Sequence, residues 1–101
     1  MKLNGIEVNL EQMNTELVDD VFIIHDCTSK KVFLFDEMSS FVWKIILEYE
    51  KNGEDVDTYR IVDKILDVYD ISEDRKQEIC HDVEEIFSVF LDSGLLYIKS
   101  F

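Results

Sequence analysis

One change of period organises this chain. Up to Asp36 the apolar residues fall in short runs that suit strands, and beyond it they recur every three or four residues. A small sheet is therefore expected first and a set of helices after it, an α+β arrangement. Val21–His25 is the clearest strand, since Val21, Phe22, Ile23 and Ile24 are β-branched or aromatic. Lys31–Phe35 returns as its antiparallel partner across Asp26–Lys30, a connection of ordinary hairpin length. Thr15–Val18 supplies a shorter first strand, divided from the second by the turn pair Asp19-Asp20. Together they predict a three-stranded antiparallel meander. Ile6–Leu10 also alternates, within a separate N-terminal segment 1–14 that is expected to be an extra strand or a loose arm.

After Asp36 the spacing predicts three helices. Met38, Phe41, Val42, Ile45, Ile46 and Tyr49 mark one face of the first, with Asp36 as its N-cap and Asn52-Gly53 as its stop. An acidic linker, Glu54–Asp57, leads to a second helix over Thr58–Tyr69, apolar at Ile61, Val62, Ile65, Leu66 and Tyr69. Ser72 is then expected to cap a third helix over Glu73–Asp92. Placed at about 100° per residue, Ile79, Val83, Ile86, Phe87 and Phe90 lie together, flanked by Val89 on one side and by Cys80 and Leu91 on the other. The apolar arc is roughly 200° wide, about twice what a surface helix needs, so this helix is expected to touch two things. Gly94 ends it, and Leu95–Ile98 folds back as a strand or packed tail. Three helices beside a small sheet give a layout like that of a winged helix.

Several function classes are excluded on charge and residue type. A net charge of −13, with seven acids against Arg75 and Lys76 in the third helix, repels phosphate, so the alternative that the layout allows, a winged-helix DNA-binding regulator, is disfavoured and no nucleic acid is expected as a partner. Cys27 and Cys80 lie far apart with no accompanying ligand set, which argues for free thiols in a reducing cytoplasm and against zinc. His25 and His81 have no nucleophile or ligand set at catalytic spacing, and there is no glycine-rich phosphate loop. No enzyme activity and no cofactor are therefore expected. The chain has neither a signal-peptide pattern nor an apolar run long enough for a membrane span, and a cytoplasmic protein without a membrane partner is expected.

The order of these elements carries a family pattern. VFIIHD, then KKVFLFDEMSSFVW, then Tyr69-Asp70-Ile71, then HDVEEIFSVFLDSGLL resembles the PqqD-like family, the small peptide chaperones also called RiPP recognition elements. Ile23–Asp26 fits the family's first strand, Phe35-Asp36-Glu37 stands where Leu-Asn-Glu is usual, and Val42-Trp43 fits its Ile-Trp. Asp82-Val83, Phe90-Leu91 and Gly94-Leu95-Leu96 fit its close, so that the resemblance covers about Thr15–Leu96. Asp36 replaces an Asn, and either residue caps a helix. The stretch Glu48–Asp57 is longer than usual and lacks the common Asp-Gly turn, a departure expected to alter contacts with a partner enzyme.

The resemblance implies a domain over 15–98, with 99–101 as a tail, that binds the leader of a ribosomally made precursor peptide as an added strand. It implies presentation of that peptide to a modifying enzyme, often a radical SAM enzyme, or to a leader protease. The peptide would lie between the strand Lys31–Phe35 and the third helix. Lys31, Val32, Phe33, Leu34 and Phe35 would offer backbone pairing and apolar walls, Ile86 and Val89 the opposite wall, and Asp82 and Glu85, with Glu78, an acidic rim for a basic leader. Against this stands the plainer expectation that the apolar strand is covered by Ile6–Leu10 or Leu95–Ile98. An open edge would also allow pairing between copies, leaving monomer or homodimer equally open.

Overall fold

The computed structural model describes residues 2–3, 6–8, 13–27 and 29–98, with side chains at 13–27 and 29–96. In chain order the elements are β1 (Lys2–Leu3), β2 (Ile6–Val8), β3 (Met13–Val18), β4 (Val21–Asp26), β5 (Val32–Leu34), α1 (Glu37–Asn52), β6 (Val56–Asp57), α2 (Thr58–Val68), α3 (Lys76–Asp92) and β7 (Leu96–Ile98). Three antiparallel strands followed by three helices are the α+β order expected from the change of period.

The meander β3-β4-β5 holds its register through its turns. Asp19 and Asp20 both adopt positive φ, 48° and 66°, as a two-residue hairpin requires to match the twist of its strands. Between β4 and β5 the Asp26 carboxylate accepts from the Ser29 amide (3.3 Å) and hydroxyl (2.8 Å), while Lys30 takes a positive φ of 60°. β4 is the central strand, and its Ile24 is completely buried opposite Phe33. The first strand begins at Met13, two residues before the expected Thr15.

The helices end and begin on local chemistry. Asp36 caps α1 by accepting from the Ser39 amide at 2.7 Å, and Asp57 caps α2 by accepting from Tyr59 N–H at 3.1 Å. Each helix closes by a left-handed residue after its last turn, Gly53, Asp70 and Gly94 in order, and the following amide reaches back into the helix. Ser72 departs from expectation: its hydroxyl donates to the Asp74 side chain and makes no backbone cap. The turn Glu73–Arg75 is 3-10, and α3 starts only at Lys76.

One aromatic wedge ties the sheet to the helices. Trp43 of α1 is fully buried and meets Phe90 of α3 edge-on at 5.2 Å. Phe35, immediately after β5, stacks on Phe90 at 5.0 Å and touches Trp43 edge-on at 5.6 Å. Beside it, the buried hydroxyl of Ser40 accepts from the Phe22 amide at 3.0 Å, fastening α1 to β4. Ile45, Ile46, Ile61, Val62, Ile65, Val83 and Phe87 complete the core.

The short strands correct two expectations. β2 pairs with β7, and β1 with β6, each pair forming its own antiparallel two-stranded sheet. Part of the expected acidic linker is thus a strand, β6, and neither Ile6–Val8 nor Leu96–Ile98 covers β5. Parts of the N-terminal segment (1, 4–5 and 9–12) and the tail 99–101 lie outside the described residues. Among the described residues no helix is long and apolar enough to cross a membrane.

Candidate functional site: an open strand edge facing α3

β5 has β4 on one side and, among the described residues, no strand on the other. Its hydrogen bonds decide which groups face outward. Phe35 N–H donates to the Phe22 carbonyl (3.0 Å) and Asp26 N–H to the Lys31 carbonyl (2.9 Å), so Lys31, Phe33 and Phe35 turn their backbone toward β4. Alternation then directs the N–H and C=O of Val32 and Leu34 to the open edge. Those four groups are what an incoming extended chain can pair with.

The side chains divide in the same register. Phe33 and Phe35 are half-buried against the core, whereas Val32 (57%) and Leu34 (76%) are exposed. An apolar strand with an open edge and exposed Leu is an aggregation hazard unless something is meant to cover it. Across from it, the wide apolar arc of α3 splits as its width implied. Ile79, Val83, Phe87 and Phe90 are buried in the core, Ile86 is half-buried, and Val89 is left 60% exposed.

Between the two lies a cavity of about 680 Å³. Val32, Phe33, Leu34 and Phe35 form one wall, Asp82, Glu85, Ile86, Val89 and Phe90 the other, and Asp36, Met38 and Ser39 from the start of α1 close it. Eight of the nine residues expected at the site thus come together. Lys31 does not: it lies before β5, outside the cavity, and its carbonyl is committed to β4. Glu78 is also elsewhere, bound through both carboxylate oxygens to Arg75 at 3.2 Å, which lowers its pKa by hydrogen bonding and then by charge. Of the other lining residues, sequence marks Asp36 only as a cap and Met38 and Phe90 only as helix-face residues, and it does not mark Ser39.

Among the described residues the remaining chemistry-bearing side chains stand apart from this groove. Cys27 is exposed, Cys80 half-buried, and both are free thiols. His81 sits 3.1 Å from Glu85 on the surface of α3. Among the described residues no three His, Cys, Asp or Glu side chains stand where they would hold a metal ion.

No protein-family model matches the chain, and no curated protein sequence does. A solved structure does: that of TbiB1 in complex with the TbiA(beta) leader peptide, at a TM-score of 0.72 and 17% identity, over 89% of this chain and 93% of that one. At that identity the likeness is one of fold.

Proposed function

We propose that this chain is a non-catalytic, cytoplasmic adaptor that takes the leader of a ribosomally made precursor peptide as a fourth strand on β5 and presents it to a maturation enzyme. A radical SAM enzyme or a leader protease would fit that place. The observation that carries the reading is the open edge of β5 with α3 standing across a groove from it: four outward backbone groups beside apolar walls. The shared fold with TbiB1, a protein seen with a leader peptide, supports it. The narrower likeness to the PqqD-like branch rests on the residue pattern quoted above. Val32 and Leu34 supply the pairing, Ile86 and Val89 the facing wall, and Asp82 and Glu85 the acidic rim, while Lys31 drops out of the site.

Each backbone bond contributes only about 0.5–1.5 kcal/mol net, so four of them need the apolar walls to reach useful affinity. A synthetic leader encoded beside the chain's own gene is expected to bind at sub- to low-micromolar strength. In an NMR titration it should shift the amide signals of Val32 and Leu34 together with those of Ile86 and Val89. Shifts that miss both β5 and α3 would end the reading.

A further inference from the structure

The groove is apolar on both walls, yet it carries three carboxylates and no Lys, Arg or His among its lining residues. Two of the three are already engaged. Asp36 accepts from the Ser39 amide at 2.7 Å, and Glu85 lies 3.1 Å from His81. Asp82 is half-buried and makes no hydrogen bond or ion pair among the described residues. Arg75, in the 3-10 turn before α3 and near enough to feel the charge of Asp82, holds Glu78 with both its Nε and its Nη2. Among the described residues Asp82 is thus the one groove carboxylate with neither a hydrogen bond nor an ion pair, and Ile86, Val89 and Phe90 line the same wall.

From this we infer that the guest is an extended segment bearing a Lys or Arg that pairs with Asp82. The inference rests on the strand-addition reading above and names the chemistry of its ligand. Covering the groove strips water from Asp82. A neutral or acidic side chain placed there leaves a partly desolvated, unpaired charge and weakens binding. A guanidinium or ammonium replaces the lost water with a charge-assisted hydrogen bond, about twice as strong as a neutral one. The same carboxylate thus favours one class of guest and rejects the others, which is how specificity is built.

The spacing follows from the helix. Asp82 and Val89 are seven residues apart on one stripe of α3, about 10 Å along its axis, or about three residues of extended chain. Because strand side chains alternate, a guest lying along α3 places its cation two or four residues from the apolar side chain seated at Val89.

A displayed library of random dodecapeptides, selected on the immobilised full chain, tests this. One enriched peptide is then resynthesised and titrated by calorimetry against the wild type, Asp82→Asn and Leu34→Pro, with circular dichroism confirming that each variant folds. Enriched sequences are expected to carry Lys or Arg at the stated spacing. Changing that residue to Gln should weaken binding to the wild type about tenfold, the size of one charge-assisted bond, and should change nothing further against Asp82→Asn. Binders that lack a basic residue, or that bind Asp82→Asn as well as the wild type, overturn the charge pairing; they leave strand addition standing if Leu34→Pro still weakens binding. Binders indifferent to both substitutions, or no enrichment at all, overturn the charge pairing and the strand-addition reading together.

Discussion

The sheet has two edges, and they are not equivalent. β3 has the longer one, six residues against three, and Asn14 to Val18 are all exposed. By length it is the better template for an added strand. Yet half of β3 is polar (Asn14, Thr15 and Glu16), and among the described residues its Leu17 lines only a smaller cavity, with residues of α1 and α2 and none of α3. β5 is short, but Phe35 behind it is stacked on Phe90, so the strand and the wall facing it are held by the same wedge. An edge offers generic pairing; a second wall at fixed distance turns it into a site. The difference between β3 and β5 is therefore one of anchoring.

The largest expected effect breaks that anchor. Phe90→Ala removes a buried ring that contacts Phe35, Trp43 and Phe87. It should destabilise the fold by about 3–5 kcal/mol in urea titrations. Leu17→Ala on β3, 60% exposed, should stay within about 0.5 kcal/mol by the same measurement. Equal losses would mean that β3 is anchored as firmly as β5. Next in size is Ser40→Ala, which strips the acceptor from the half-buried Phe22 amide and should cost about 1–2 kcal/mol. Because the Phe22 carbonyl also accepts from the amide of Phe35, just after β5, hydrogen exchange should quicken at Phe35 and leave β3 unchanged.

Binding separates the edges most directly. Leu34→Pro deletes an outward N–H that β4 does not use, so the sheet should survive it, as edge strands tolerate proline where the lost donor faces solvent. One hydrogen bond and part of an apolar contact go with it, and peptide affinity should fall at least about tenfold. Thr15→Pro removes an equivalent outward N–H on β3, since Thr15 lies opposite Ile24, whose backbone faces β5. It should leave affinity unchanged. A loss with Thr15→Pro as large as with Leu34→Pro would move the guest to the wrong edge.

How much of this could be read from residues alone depends on how local the cause was. The hairpin at Asp19-Asp20, the Asp36 cap and the Gly53 and Gly94 stops were legible because a single side chain or a single φ decides each. The excess width of the α3 arc announced that Ile86 and Val89 needed a second neighbour, and they line the groove. The pairings β1–β6 and β2–β7 were not legible: strands of two or three residues have no period, and their partners lie more than fifty residues away. Nor was the openness of β5, because an apolar strand reads the same whether covered or bare. Ser72 misled because a capping serine and one that bonds a neighbouring Asp have the same sequence. Asp82 stood among acids with no mark of its own. Which of them Arg75 and His81 would occupy is settled by the geometry of α3 and not by its composition.

The smallest prediction provides the control that separates stability from binding. Tyr49 lies near the end of α1, on neither edge of the sheet and outside the groove. Its hydroxyl is buried with no hydrogen-bond partner among the described residues, beneath Arg60 and Lys64 at 5.5 and 5.9 Å from the ring centroid. Burial, more than any charge, raises its pKa above 10.0, against which the nearby Arg60 pulls it down. A group whose folded pKa is raised stabilises fully below its unfolded pKa, and that contribution is lost as pH climbs through the folded value. The wild type should therefore weaken above about pH 10 partly through Tyr49. Tyr49→Phe removes both the unpaired hydroxyl and the titration, so it should match or exceed wild-type stability at pH 7 by up to about 1 kcal/mol and flatten the alkaline decline. Peptide affinity should not move, because neither wall of the groove changes. If Tyr49→Phe instead weakened peptide binding along with Leu34→Pro, affinity would be following the condition of the whole fold, and the contrast between the two edges would lose its force.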